Sequence, residues 1–390
     1  EQSFLMRSAW LPKMTAGMTA RLTGYTRGGE VLARLARTHY FTEQRFEQEP
    51  MFEYHPLFRE FLQAQAVKAF PPPELAQLQV DAGKILEEAG RFEDAAALYR
   101  EAGHHGELGR LILAQVPTWL KQGRYETVVS WIGALPAQVS SENPWLLLWR
   151  GTALLPLNPA NARPFLEHAY GLFERIGERA GLLLAWSGVV DSIWMEWKDL
   201  TQLDPWLDRL AELVPDHQSY PSPEIHSRVV ATAFQAFLWR RMGYEDISRW
   251  TRQVEHIFSS LGDPNQQSLL GVALANYYMW MGEIDQSGRI VEAVRVVAMR
   301  PGAPPFCRIN YYGLEAMHAR ELADAGRVLH AVEKGLESSV QSGIPIFELV
   351  FEGFGSIGHL VANDIERAEY HLGKQLALLA SGRPMTMVSG

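Results

Sequence analysis

The feature that most constrains this chain is a turn that keeps returning. Glu88-Ala89-Gly90-Arg91-Phe92 is followed by Lys121-Gln122-Gly123-Arg124-Tyr125, a step of 33 from Gly90 to Gly123. Arg241-Met242-Gly243-Tyr244 and Trp280-Met281-Gly282-Glu283-Ile284 repeat the theme. Versions without glycine fall at Leu322-Ala323-Asp324 and Val361-Ala362-Asn363-Asp364. Between the turns, apolar residues recur at three- and four-residue spacing, and long alternating strand patterns are missing. A break with this period marks a solenoid of helix pairs, each burying the face its neighbour exposes. The period also explains how 390 residues fold without one oversized core. The expectation is an all-α array of about seven helix pairs.

The first unit shows its packing logic most clearly. Gly83 precedes the turn at Gly90, and Ala95 and Ala102 follow it. Two closely crossing helices need small residues at these places, with Leu86, Phe92 and Tyr99 filling the gaps between them. The segment 77–102 thereby resembles a tetratricopeptide repeat. Later units keep the outline, with Ala236 and Ser248 around Gly243 and Ala275 and Ser287 around Gly282.

Residues 1–70 break the pattern. Ser3 is expected to cap a helix carrying Phe4 and Leu5 and continuing beyond Ser8 towards Trp10-Leu11. Gly28-Gly29 precede an amphipathic helix, Glu30 to Thr38, with Val31, Leu32 and Leu35 on one face. Tyr40-Phe41-Thr42 and Met51-Phe52-Glu53-Tyr54 suit a short β-hairpin with Glu43 to Pro50 at its tip. A further helix starts at Pro56 and carries Leu57, Phe58, Phe61 and Leu62. Helices followed by a small hairpin describe a winged helix. Pro71-Pro72-Pro73 marks its junction with the repeats. The organisation read from the sequence is a winged-helix domain (1–70), first tetratricopeptide-like repeats (71–140), a helical-repeat sensor domain (141–380) and a C-terminal linker (381–390).

The string Leu32-Ala33-Arg34-Leu35 with Tyr54-His55-Pro56-Leu57-Phe58-Arg59-Glu60-Phe61-Leu62 resembles the winged-helix end of the nucleotide-binding module of MalT-like regulators. These belong to the signal-transduction ATPases with numerous domains. The resemblance implies that His55 contacts the phosphate of bound ADP and helps to hold a resting, closed state. An imidazole beside the free N–H groups of a helix's first turn suits a phosphate. Read from the residues alone, His55 could equally cap or pack at the strand-to-helix junction. There is no G-x-x-x-x-G-K-[ST] loop and no recognisable DNA-binding helix-turn-helix at the C-terminal end. ADP or ATP is therefore expected for a full-length protein, with no cofactor in these residues. The lack of an initiator Met suggests an excised fragment.

Composition narrows the function. A net charge of -9 argues against a non-specific nucleic-acid surface, so DNA contact is expected only through a domain not present here. No run of about 18 uncharged apolar residues suggests a membrane span. A single cysteine, Cys307, fits a reducing compartment and points to the cytoplasm. The twelve histidines form no H-E-x-x-H pattern, and no G-x-S-x-G elbow occurs. Gly353-Phe354-Gly355 lacks the strand context of a dinucleotide loop and reads as close helix packing, and His104-His105 reads as solvent-facing. No catalytic or metal site is expected, and the chain is read as a binding protein rather than an enzyme.

The aromatic load of the later repeats is the remaining signal: Trp186, Trp194, Trp197, Trp239, Trp280, Tyr277-Tyr278 and Tyr311-Tyr312. Tetratricopeptide register turns Glu196, Phe237, Arg240, Asn276, Trp280, Asn310, Met317 and Arg320 toward the concave groove. Such a set can bind a polar small molecule by hydrogen bonding and stacking. It can also be interhelical core with solvated polar groups. The expected function is a sensor in which a small-molecule inducer or a regulatory protein binds the superhelix. Binding would control how the chain sits against its own ATPase core, and so ADP-locked against ATP-driven multimerising states. The alternative is a scaffold that docks a peptide or partner protein in the groove.

Overall fold

The computed structural model describes residues 1–46, 49–196, 198–214, 220–241, 247–260 and 264–380. They divide into two compact units, Glu1–Ala114 and Gln115–Gly390. Trp197, His217, the turn Met242-Gly243-Tyr244, the side chain of Ser248 and the expected linker 381–390 lie outside the described residues.

The first unit opens with α1 (Gln2–Ser8), α2 (Ala16–Thr23) and α3 (Gly28–Arg37). The two-stranded hairpin β1 (Thr42–Phe46) and β2 (Pro50–Tyr54) follows, then α4 (Pro56–Ala69). Met14 bridges Phe52 through N–H···O bonds of 2.9 and 2.8 Å, so the hairpin gains a third short edge. That is the winged helix expected, with three local corrections. Ser3 lies inside α1, and Glu1 stands at its N-cap. The cap that works is Thr15, whose hydroxyl accepts from the Met18 N–H at 3.2 Å to start α2. Gly28 and Gly29 belong to α3, where a Cβ would meet the Phe4 ring at 2.5 Å and Ala16 at 2.8 Å; they permit close packing rather than break the chain. Strand β1 begins at Thr42, because His39 and Phe41 both adopt left-handed backbone (φ 53° and 50°) and turn the chain before it.

The unit continues with α5 (Pro72–Glu88), α6 (Phe92–Glu101) and the start of α7 (His105–Lys121). A Cβ on Gly83 would lie 2.3 Å from the Tyr99 ring, which explains the small residue there. Arg91 Nη1 donates to the Lys13 carbonyl at 2.7 Å, and Arg7 pairs with Glu74. The first helix pair thus packs onto the winged helix. His104 and His105 are half-buried rather than solvent-facing, and His104 reaches Gln79 Oε1 at 3.3 Å.

The second unit stacks further helices: α8 (Tyr125–Gly133), α9 (Ala137–Glu142), α10 (Pro144–Leu154), α11 (Pro159–Ile176), α12 (Arg179–Glu196) and α13 (Asp204–Leu213). Next come α14 (Pro223–Arg240), α15 (Ile247–Ser260), α16 (Pro264–Trp280) and α17 (Ile284–Ala298). The array closes with α18 (Pro305–Glu321), α19 (Ala325–Ser342), α20 (Glu348–Val361) and α21 (Ile365–Ala380). Counted from α5, the described residues hold eight helix pairs plus the short α9; the sequence reading of about seven is low because the Pro136 and Asn143 boundaries of α9 blur the period. Helices α10, α12, α14, α16, α18 and α20 stack on one another as the inner layer.

One turn geometry recurs as the period requires. Gly90, Gly123 and Gly282 have φ of 71°, 74° and 76°. Ala323 and Asn363 take the same left-handed role at 53° and 59°. At each, the next residue's N–H closes onto a carbonyl five residues back: Arg91 to Leu86, Arg124 to Trp119, Glu283 to Tyr278, Asp324 to Ala319, and Asp364 to His359, at 2.8–3.0 Å. Small residues mark the tight crossings here too. Ala236, Ala275 and Ser287 are fully buried, and a Cβ on Gly355 would meet the His371 ring at 2.7 Å.

Candidate functional site

The inner helices are apolar around nearly their whole circumference, so they bury all sides between neighbours. Polar residues in them are therefore the exceptions to explain. Asp191 on α12, Thr232 and Gln235 on α14, Asn276 on α16 and Asn310 on α18 are all at least nine-tenths buried.

Most of these exceptions converge. A cavity of about 350 Å³ is lined by α12, α14, α16, α18 and α20. Its walls are aromatic and aliphatic, with Trp239 and Trp280 edge-to-face at 4.4 Å between ring centres. Its polar groups are Thr232, Gln235, Asn310, Arg320 and the pair Asp191–Arg228. Among the described residues, Thr232 Oγ1, Gln235 Nε2 and Asn310 Nδ2 have no hydrogen-bond partner. Leaving a buried polar group unpaired costs about 1–3 kcal/mol. Three such groups belong to residues that line one cavity, and apolar walls with a few convergent polar groups are what small-molecule sites have.

The eight residues expected to line the groove separate into two sets. Trp280, Asn310, Met317 and Arg320 line this cavity together, and Arg320 also lies over the Phe354 ring at 5.9 Å. Glu196, Phe237, Arg240 and Asn276 are not in its wall. Glu196 takes a charged bond from Arg163, whose guanidinium also donates to the Ser192 carbonyl at 3.1 Å and to Gln202 at 2.9 Å, tying α11 to the end of α12. Phe237 packs on Trp250 with ring centres 5.5 Å apart. Arg240 binds Asp204 at 2.7 Å, and its guanidinium holds that carboxyl below the usual carboxylate range. Asn276 is wholly buried, and neither end of its amide is paired among the described residues. The polar wall residues that the sequence reading did not single out are Asp191, Arg228, Thr232 and Gln235. Their signal was available: polar side chains in helices otherwise apolar all round.

In the first unit, His55 stands at the N-cap of α4 with Pro56 as the first helical residue. Its side chain makes no cap bond, and its exposed ring lies edge-on to Phe41 at 6.2 Å. Phe41 stacks on Phe58 at 5.6 Å. Tyr40, Phe41, Leu57 and Phe61 are all exposed, so His55 stands among exposed apolar side chains of its own segment. Tyr54 behind it is buried, bonded to Ser8 at 2.8 Å, and its phenol is pushed far up by burial.

Among the described residues no group of three or more His, Cys, Asp or Glu side chains could hold a metal ion. No helix among them is long and apolar enough to cross a membrane.

Comparison with known proteins agrees with both halves. The family model of the MalT winged helix domain matches residues 1–74. The fold as a whole is similar to a signal-transduction ATPase with numerous domains (STAND) protein with a tetratricopeptide repeat sensor from Pyrococcus horikoshii. The TM-score is 0.60 at 14% identity, over 98% of this chain and 57% of that one. The chain thus spans little more than half of that structure. No curated protein sequence matches it. The resemblance read from Tyr54-His55-Pro56-Leu57-Phe58 therefore stands, as does the architecture of a winged helix followed by a tetratricopeptide-like superhelix.

Proposed function

We propose that the chain is the winged-helix and sensor portion of a STAND-type regulator located in the cytoplasm, acting by binding rather than catalysis. A small-molecule inducer occupies the cavity between α12 and α20. In the full-length protein its binding shifts an ADP-locked state toward one that multimerises with ATP. The observation that carries the reading is the set of unpartnered buried groups, Thr232, Gln235 and Asn310, on one cavity wall. A ligand shifts such a balance only by its differential affinity, and a hundredfold preference corresponds to about 2.7 kcal/mol.

The first unit supports the nucleotide side of the proposal. The exposed imidazole of His55 lies at the start of α4, where the first-turn N–H groups lack intrahelical partners. That arrangement fits a phosphate. When bound, ADP supplies a negative charge for this end of α4 to hold; His55 would contribute a ring N–H to it. The exposed apolar side chains of its segment are consistent with cover by the protein's own ATPase core.

The test is a thermal-shift screen of the chain against sugars, amino acids and nucleotides. A compound that raises the midpoint in wild type, and no longer does so in Gln235→Leu or Asn310→Leu, supports the inducer reading. If no compound shifts a demonstrably folded chain, the groove is to be read as a docking surface for a peptide or regulatory protein.

A further inference from the structure

We infer that the sensor cavity is one chamber of a two-chamber site for an amphipathic ligand, with a carboxylate or similar acceptor-rich head on an apolar body. This rests on the sensor reading above and names the class of ligand it takes. A second cavity of about 310 Å³ lies in the same unit. It is walled by apolar side chains that include Leu120, Leu148, Trp149, Leu155 and Met195. The two cavities share Asp191, Trp194, Arg228, Leu269 and Phe306, which form a common wall. Each chamber is near the lower end of the roughly 300–1,000 Å³ expected of small-molecule sites, so one ligand extending past the wall fills both.

The chemistry of the wall selects the head group. Asp191 is satisfied: Arg228 bonds one carboxylate oxygen, and Trp194 Nε1 donates to the other at 3.0 Å. A guanidinium carries five N–H donors, and the bond that Arg228 makes among the described residues uses one of its nitrogens, Nη2. Arg228 thus keeps donor capacity at the wall, while both oxygens of Asp191 already accept. The first chamber adds the unpartnered donors of Gln235 and Asn310 and the hydroxyl of Thr232. Among the described lining residues, Lys121, Arg228 and Arg320 are cationic and Asp191 is the carboxylate, and Arg320 pairs with Glu321 beyond the lining. The unpartnered donors of the first chamber, with the spare N–H groups of Arg228, call for acceptor oxygens. The apolar side chains of the second chamber, beside its Lys121, Thr152, Asn265 and Gln266, offer an alkyl or aryl body a surface to bury.

The experiment titrates the whole chain with sodium octanoate, 1-octanol and sodium acetate, following tryptophan fluorescence and the thermal midpoint. Octanoate is expected to bind at least about tenfold more tightly than octanol, and acetate to show no saturable binding. The double variant Asp191→Asn with Arg228→Gln removes the ion pair without stranding a buried charge. It should abolish the preference for octanoate while octanol still binds. Trp149→Ala should weaken octanoate and octanol alike. Equal affinity for octanoate and octanol overturns the acceptor-head assignment. An octanoate affinity untouched by Trp149→Ala overturns the two-chamber site. If octanoate fails to bind while a compound from the metabolite screen binds in a Gln235-dependent way, this inference falls and the sensor reading stands. If neither binds, both fall.

Discussion

The first helix pair and the inner helices of the second unit solve the same packing problem in opposite ways. In α5 and α6, small residues sit where the helices cross, large apolar ones fill the gaps, and polar groups find partners: the Tyr99 hydroxyl donates to Glu87 at 2.7 Å. In α14, α16 and α18, polar groups are driven into the interior and several are left unpaired among the described residues. The first arrangement is what stability alone selects. The second gives up stability at several points, and those on α14 and one on α18 belong to residues that line a cavity, while Asn276 of α16 does not. Departure from the rule of the repeat, rather than adherence to it, marks where binding is to be sought.

That contrast can be broken by mutation, beginning with its strongest case. Gly83→Ala places a methyl group against the Tyr99 ring and should lower stability by about 3 kcal/mol in chemical denaturation; an unchanged midpoint would mean the α5–α6 crossing is looser than the geometry shows. Gln235→Leu should act in the opposite direction. Removing an unpaired buried amide is expected to stabilise the ligand-free chain by about 1–2 kcal/mol while eliminating the ligand-induced shift. A destabilised Gln235→Leu would reveal a partner and remove the contrast.

The turns supply a matched pair with smaller effects. Gly282 faces open space, so Gly282→Ala should lose about 1 kcal/mol through backbone strain alone. Ala323→Gly relieves the same strain, offset in part by unfolded-chain entropy, and should gain about 0.5 kcal/mol. Thermal melts of the two variants should move in opposite directions.

The smallest effect concerns pH. Burial, then the neighbouring His371 ring, holds His359 below its ordinary value of 6.5. A depressed histidine favours the neutral folded form, so its stability contribution is complete above pH 6.5 and is lost as pH falls through the lower folded value. His226, lowered by burial, adds in the same direction. His359→Gln should shrink the loss between pH 7 and 5 without abolishing it, read from denaturation midpoints at each pH.

The parts of the fold governed by local backbone rules were legible in the sequence. Gly90, Gly123 and Gly282 announced left-handed turns, and the homologous positions of Ala323 and Asn363 were found by spacing even without glycine. The hairpin was displaced because nothing in His39 or Phe41 advertises a positive φ. The cavity was legible along α18, where Asn310, Met317 and Arg320 lie on the face the register gives them. It was not legible along α14. There the register slips, and the wall is Thr232, Gln235 and Trp239 instead of Phe237 and Arg240. A slip of one or two residues rotates a helix face by roughly 100–200°, and later units stray far enough from the first unit's period to produce it. The ties made by Glu196 and Arg240 depend on residues 33 and 36 positions away, Arg163 and Asp204, which no local pattern reveals.

The cavity takes its wall from five successive inner helices, α12 to α20. In a solenoid, pitch is the running total of small rotations between neighbours. A molecule touching all five helices sets four of those rotations at once, in one direction. Errors that would average out if each joint moved independently instead accumulate, like the leaves of a fan opened from its pivot. On the function proposed above, the binding site is also the gear train, and no separate pathway is needed to carry its message along the array.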